Sequence, residues 1–237
     1  MILITGATGR LGRELIKIIP GAFTVSHSEL DVKNKKAVFD LIKEKKPSSI
    51  IHLAAMTNVR DCEEKRELAY ATNVGGTENL VEACLKYNPD CYFVYMSTAC
   101  VFYGDKGDYT EEDIPYPKNF YAITKLLAEF VVKRLKNYLI IRGNFVPREK
   151  WPYEKAFIDR YGTYLFADDL AKAIYEVFKN KMNGIIHIVG EEKISMFELA
   201  VITTPNIKPM TTKETDIPLT KDMSLRSVKI KSYKLTK

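Results

Sequence analysis

No stretch of the sequence approaches the ~20 consecutive apolar residues of a membrane span, and residues 1–4 read as a core strand rather than as part of a signal peptide. The expectation is a cytoplasmic protein with no membrane partner. Cysteine is sparse. Cys62, Cys84, Cys91 and Cys100 have no metal-ligand spacing and fall within helical or strand-like runs, where a free thiol packs as a small apolar group. Neither a disulfide framework nor a metal site is expected. Histidine is scarce too, and His52 and His187 sit inside apolar strands as core residues. Internal repeats, low-complexity segments and nucleic-acid-binding motifs are all lacking. The 36 basic against 30 acidic residues leave a net charge of +6, but the lysine excess lies on helix surfaces and in the tail from Lys208 to Lys237. Such a charge suits anionic small molecules and gives no reason to expect a nucleic acid.

What is present is concentrated at the N-terminus. In Met1-Ile-Leu-Ile-Thr-Gly-Ala-Thr-Gly-Arg-Leu-Gly12 an apolar run breaks into Gly6, Gly9 and Gly12, and Leu11, Leu15, Ile16, Ile18 and Ile19 follow in a helical pattern closed by Pro20-Gly21. That is a strand, a tight turn and a helix N-terminus. The first backbone N–H groups of a helix have no internal partner and carry the positive end of its dipole, so a turn of this kind captures anions. Gly6 would make the turn, Gly9 would let the backbone approach a pyrophosphate, and Gly12 would let the helix lie close on the strand. The strand before and the helix after give these glycines the context of a dinucleotide-binding turn.

A chain of 237 residues accommodates one sizeable core with a smaller lobe grafted on. Further strands are expected over 22–25, 49–55, 91–96, 138–141 and 184–189. Helices are expected over 33–46, capped near Asp31 or Asn34, over 62–87 with a break or close-packing point at Gly75-Gly76, and over 120–135, 167–179 and 195–201. Ser195 and Glu198 are spaced for a capping box on the last. The run 49–55 is almost continuously apolar, as in strands covered on both faces. This alternation defines an α/β protein with a doubly wound parallel sheet, whose ligands bind at the carboxyl ends of the strands.

Those ends carry chemistry. The fourth strand finishes in Met96-Ser97-Thr98, and the long helix after it begins Tyr121-Ala-Ile-Thr-Lys125. Residues four apart share one helix face, so the Lys125 ammonium can lie beneath the Tyr121 phenol. A positive neighbour favours the phenolate and lowers the pKa from ~10, which would make Tyr121 a general acid near neutral pH. The spacing alone is not distinctive, since Tyr175 with Lys179 and Tyr233 with Lys237 share it. Only the Tyr121 pair follows a strand ending in Ser-Thr and opens its own helix, which brings a hydroxyl, a phenol and an ammonium to one edge of the sheet.

In this order, Gly6-x-x-Gly9-x-x-Gly12, Ser97-Thr98 and Tyr121-x-x-x-Lys125 resemble the extended short-chain dehydrogenase/reductases, which have a Rossmann fold. Further stretches resemble the dTDP-4-dehydrorhamnose reductase branch: Glu29-Leu-Asp-Val32, Ala54-Ala-Met-Thr57, Asn73-Val-Gly-Gly, Val101-Phe102, Tyr109-Thr-Glu-Glu-Asp113, and Tyr161-Gly-Thr before Ala167-Asp-Asp-Leu170. The resemblance spans residues 1–202 and implies a catalytic triad of Thr98, Tyr121 and Lys125. Tyr121 would give a proton to a carbonyl oxygen as hydride arrives from C4 of the nicotinamide. Lys125 would lower the Tyr121 pKa and hold the nicotinamide ribose, and Thr98 would hydrogen-bond the carbonyl. Cofactor contacts are implied for Gly6, Thr8, Gly9, Arg10, Leu11 and Gly12 in the turn, for His27, Asp31 and Val32 at the adenosine end, and for Ala54, Ala55 and Thr57 along the dinucleotide, with Asn73 bracing the neighbouring strand. Residues 1–142 and 163–182 would form the Rossmann domain, and 143–162 with 183–237 a small, shortened substrate-binding lobe. Ser97, Thr98, Arg142 and Trp151, with Tyr153, are the expected substrate residues. Arg142 would act as a phosphate clamp, while Trp151-Pro152 could equally seal the shortened loop.

The sequence departs from the branch where the sugar would lie. The acidic residue and tyrosine that usually follow Ser-Thr are Ala99 and Cys100, the Arg-Thr-Ser-Trp strand end is Arg142-Gly-Asn-Phe145, and the Arg-Pro motif before Ser224-Leu225 is missing. The implied activity is NAD(P)H-dependent reduction of a nucleotide-sugar 4-keto group or a similar carbonyl compound. Two alternatives share the fold: a nucleotide-sugar epimerase or dehydratase, and a non-catalytic NADP-binding subunit resembling the regulatory subunit of methionine adenosyltransferase. An acidic residue about 20 positions after the glycine motif would bind the ribose 2′-OH and favour NAD. Here the second strand ends Val25-Ser-His-Ser28 with Glu29 just beyond. NADP is therefore the preferred cofactor, with Arg10 and His27 nearest its 2′-phosphate, and NAD the alternative. A homodimer through the long helices is expected by analogy with the superfamily.

Overall fold

The apolar N-terminal run forms β1 (Ile2–Thr5), and the glycine turn leads into α1 (Arg10–Ile18). The computed structural model describes residues 1–236. Next come β2 (Phe23–Val25), α2 (Lys35–Lys45) and β3 (Ser49–His52). Asn34 caps α2, its side chain accepting the Ala37 N–H. The helical stretch expected over 62–87 is divided into α3 (Val59–Glu64), α4 (Arg66–Tyr70), a π-helical turn at Ala71–Gly75, and α5 (Gly76–Tyr87). The break at the glycine pair is thus a widened turn. β4 (Tyr92–Met96), α6 (Phe120–Val132) and β5 (Tyr138–Arg142) follow, with Asn119 capping α6 through the Ala122 N–H.

Beyond Arg142 the elements shorten to β6 (Phe145–Val146), β7 (Lys155–Phe157), β8 (Tyr161–Gly162) and β9 (Leu165–Phe166), before α7 (Ala167–Lys179) and β10 (Gly184–His187). The chain finishes with β11 (Ile194–Ser195), α8 (Met196–Thr203), β12 (Lys208–Met210) and β13 (Asp222–Met223). The capping box expected at Ser195 and Glu198 is present on α8.

Six strands form one parallel sheet in the order β10-β5-β4-β3-β1-β2. Helices cover both faces. Leu11 and Leu15 of α1 with Leu170 and Ile174 of α7 pack against Ile4, Ile51, Val94 and Ile141. On the other side Val38 and Ile42 of α2, Leu80 and Val81 of α5, and Ala128 and Val132 of α6 pack against Leu3, Ile50, Phe93 and Ile140. This two-sided cover is why β3 and β4 are buried at every residue. Because β2 lies on one side of β1 and β3 on the other, the strand order reverses there and leaves a crevice at the carboxyl ends.

One expected boundary moves. The sequence pattern assigns residues 183 onward to the lobe, but β10 pairs with β5 as an edge strand of the main sheet, reached from β5 by a crossover through α7. An apolar run after a helix has its natural place in the parallel sheet. The smaller sheets β11-β8-β13 and β12-β7 lie outside it. Beside β7 and α8 lies a separate apolar cluster of Trp151, Ala156, Ala200 and Ile207. Among the described residues no helix is long and apolar enough to cross a membrane.

Candidate functional site

The site begins at the glycine turn. Gly6 has φ +70°, and a Cβ there would stand 2.6 Å from the Ala54 nitrogen, so the turn lies directly against the loop leaving β3. At Gly12 an added Cβ would come within 2.7 Å of the Ala7 Cα, which keeps α1 pressed onto its own turn. Gly9 is the N-cap of α1 and supplies no side-chain cap, so the first N–H groups of the helix are left to a ligand.

Two adjoining cavities share Gly6, Gly9, Leu53 and Ala55 as a common wall. The smaller, about 250 Å³, is lined by Thr8, His27, Asp31, Val32 and Ala54, together with Ser26. The larger, about 580 Å³, is lined by Arg10, Leu11, Gly12, Thr57, Ser97, Thr98, Tyr121 and Lys125, and also by Asn58, Gly143, Asn144 and Tyr153. The structure therefore gathers the residues expected at a dinucleotide around one continuous crevice. Arg10 and His27, expected about the same phosphate, line different cavities. Asn58 and Asn144 carry no sequence signal and emerge only from the fold.

At the floor of the larger cavity Thr98 and Tyr121 line the same wall, and the Thr98 hydroxyl accepts the Cys100 N–H at 3.2 Å. Lys125 is buried, with Nζ 4.2 Å from the centroid of the Tyr95 ring. The electrostatics differ from the expectation that Lys125 lowers the Tyr121 pKa. Burial, with a smaller contribution from Cys100, pushes the Tyr121 phenol up, and the neighbouring Thr98 hydroxyl only partly opposes it. Burial also pushes Lys125 down to about 7, against the pull of the Glu129 carboxylate. Loss of solvent outweighs the mutual effect of the pair.

Asn73 does brace the site, through the π turn that holds it. Its Oδ1 accepts the Met56 N–H at 2.7 Å, while its Nδ2 donates to the Met56 carbonyl and to Thr124 Oγ1, both at 2.9 Å. The loop after β3 is thereby tied to α6 between Tyr121 and Lys125. Behind it, His52 is in the core. Thr77 donates its hydroxyl proton to the Asn73 carbonyl, so it accepts from His52 Nε2 at 3.0 Å, and Thr5 Oγ1 donates to Nδ1 at 2.6 Å.

Three expected substrate residues are placed otherwise. Arg142 is 2% exposed and makes a bidentate pair with Glu129, Nε to Oε1 at 2.9 Å and Nη2 to Oε2 at 2.7 Å. It is no phosphate clamp, because a guanidinium inside the sheet needs a buried carboxylate and Glu129 supplies it. Ser97 lines the cavity, but its hydroxyl donates to Glu129 Oε1 at 2.5 Å. Trp151 seals the lobe among Ala156, Ala200 and Ile207, its indole N–H donating to the Lys155 carbonyl. Tyr153 reaches the crevice instead.

The sequence model of the RmlD substrate binding domain matches residues 1–159. The chain belongs to that family. Over 230 residues it is 31% identical to a dTDP-4-dehydrorhamnose reductase of Aggregatibacter actinomycetemcomitans, covering 84% of this chain and 76% of that protein. The crystal structure of dTDP-4-dehydrorhamnose reductase from Bacillus anthracis in complex with NADP superposes with a TM-score of 0.86 at 27% identity, covering 95% of this chain and 89% of the other. Methionine adenosyltransferase 2 subunit beta of Mus musculus is 34% identical over 142 residues, 55% of this chain and 42% of that protein.

Burial pushes His52 down to about 3 and His187 to about 4 from the ordinary 6.5. Below 6.5 the unfolded chain takes up protons that the fold refuses, so stability is full above that pH and falls as pH drops toward the folded values. Urea unfolding midpoints at about pH 7 and about pH 4.5 should show this loss, and His52→Gln, which can keep both hydrogen bonds, should reduce it. An unchanged pH dependence in the variant would contradict a neutral His52.

Proposed function

We propose that this chain is an NADPH-dependent reductase of a nucleotide-sugar 4-keto group, with Thr98, Tyr121 and Lys125 as its catalytic residues. The observation that carries the reading is the meeting of these three side chains in the cavity that continues from the glycine turn. Relatives named as reductases extend over 84% of the chain, whereas the adenosyltransferase subunit matches 55% of it, which favours the enzyme over a binding subunit. The cradle fits a dinucleotide: a turn too tight for a Cβ at Gly6, an uncapped helix N-terminus, and an adenosine-side cavity beyond it. NADPH bound there supplies a hydride.

The protein's own part is proton management. A reductase acid must carry its proton at working pH, and burial, by pushing the Tyr121 phenol up, favours that form. Thr98, on the same cavity wall, can hydrogen-bond the substrate oxygen. Lys125 stabilises the phenolate left after transfer. Residues 143–162 and those after β10 form the lobe that covers the sugar, with Tyr153 at its edge.

Ser26 and His27 line the adenosine side, while Glu29 is exposed and folds back on its own turn, accepting the Ser26 N–H at 2.7 Å and the Ser26 hydroxyl at 2.6 Å. With that carboxylate engaged, the strand tip suits a 2′-phosphate. The chain also forms a homodimer through α6, where Ile123, Leu127 and Phe130 make an apolar stripe that is 37%, 40% and 58% exposed.

With a panel of 4-keto nucleotide-sugars, Tyr121→Phe should lower NADPH consumption at least about 10²-fold while leaving NADPH affinity intact. Equal turnover would remove Tyr121 as the acid, and binding without turnover in wild type and variant alike would favour a binding subunit. Ser26→Asp should weaken NADPH binding about tenfold, roughly 1.4 kcal/mol, and spare NADH. Wild-type preference for NADH would refute the cofactor assignment. In sedimentation, Phe130→Glu should convert a dimer to a monomer, and a wild type that sediments as a monomer defeats the dimer.

A further inference from the structure

Glu129 is a buried carboxylate that the reduction as described does not use. It lies one turn beyond Lys125 on α6 and is fully enclosed. Three hydrogen bonds converge on it, two from Arg142 at the end of β5 and one from Ser97 at the end of β4. The elements so tied are those that carry the site: Ser97 precedes Thr98, α6 bears Tyr121 and Lys125, and Arg142 precedes Gly143 and Asn144 of the cavity wall.

We propose that Glu129 is a positioning residue, locked by Arg142, that fixes the Ser97-Thr98 strand end and, one turn from Lys125 on the same helix face, favours its ammonium form. The inference rests on the reductase reading. An ammonium enclosed with Tyr95 of β4 and His52 of β3 has little water to stabilise it, and His52 is held neutral. Tyr121, a turn before it, is uncharged at neutral pH. From α3, Cys62 and Glu63 act at the other end of α6, where Glu63 accepts the Phe120 N–H. Glu78 of α5 pairs with Arg134 past the far end. Glu129 is thus the carboxylate placed to act on Lys125, and Arg142 satisfies its remaining lone pairs without reaching the cavity. It acts through Lys125 and Ser97, not on the substrate.

The test compares the pH dependence of NADPH oxidation in wild type and Glu129→Gln. Activity that needs charged Lys125 is lost as pH rises through its pKa. Removing the carboxylate lowers that pKa, so the alkaline limb should move down by about one pH unit. Since Gln leaves Arg142 as an unpaired buried cation, Glu129→Gln with Arg142→Met is measured as well, and its limb should move in the same direction. A lowered rate with an unmoved limb in both variants overturns the proposal. The Lys125 side chain is also titrated by NMR in lysine-labelled protein, assigned through Lys125→Arg. Its titration should fall in both variants whether or not a substrate is turned over, and an unchanged titration is fatal to the idea. A wild type inactive on every keto-sugar would defeat the reductase reading alone, and the NMR titration would still decide the role of Glu129.

Discussion

The approach of the first turn to the loop after β3 sets the rest of the molecule. Gly6 turns with a left-handed φ against the Ala54 nitrogen, a contact that no side chain could share. That contact brings the N-terminus of α1 to the point where strand order reverses, so the open N–H groups of the helix and the exit of β3 face one crevice. Much of the crevice lining is then delivered by the strand exits: His27 and Asp31 from that of β2, Thr57 from that of β3, Thr98 from that of β4, and Asn144 from that of β5.

Two kinds of interaction hold this arrangement, and their magnitudes assign them different tasks. Each fully buried Leu or Ile of the two-sided core contributes about 1.5–3 kcal/mol, so the apolar faces of α1, α7, α2, α5 and α6 supply the stability. The polar chain Thr5, His52, Thr77, Asn73 and Thr124 runs from β1 through β3 and α5 to α6. A hydrogen bond of this kind nets only about 1 kcal/mol, but a buried group left without its partner costs about 1–3 kcal/mol. The chain therefore specifies register more than it adds stability. A slip of α6 would break the Asn73–Thr124 bond, the link that ties the helix carrying Tyr121 and Lys125 to this chain.

What the sequence discloses follows from how local each feature is. The glycine turn, the Asn34 and Ser195 caps, and the Tyr121-x-x-x-Lys125 face are written within a few residues and are legible. The fate of Arg142 is not, because it depends on Glu129, which is thirteen positions away on a different element. The signal available was an acid on the helix face that carries Ala128 and Val132 into the core, which demands a buried cation. Trp151 is ambiguous for the same reason, since its packing partners Ala200 and Ile207 come from much later in the chain. The sign of the Tyr121 shift could not be read from the Lys125 spacing, because desolvation is a property of everything around the pair.

The departures from the reductase pattern acquire a physical meaning in this light. Ala99 and Cys100, standing where an acidic residue and a tyrosine are usual, are buried, and the Cys100 thiol meets the Met223 sulfur at 3.3 Å within an apolar cluster that includes Tyr109 and Leu225. The segment has joined the lobe core, and its two polar groups have no counterpart at the crevice. Arg160 shows the same economy, directing its guanidinium at the Thr220 carbonyl and at the Met196 and Met223 sulfurs. Among the polar groups that do reach the larger cavity are Asn58, Asn144 and Tyr153, from the exits of β3 and β5 and from the shortened loop. Under the reductase reading, sugar selection passes from a charged group to neutral amides and a phenol. Such a site discriminates by the hydrogen bonds it would leave unmade more than by charge.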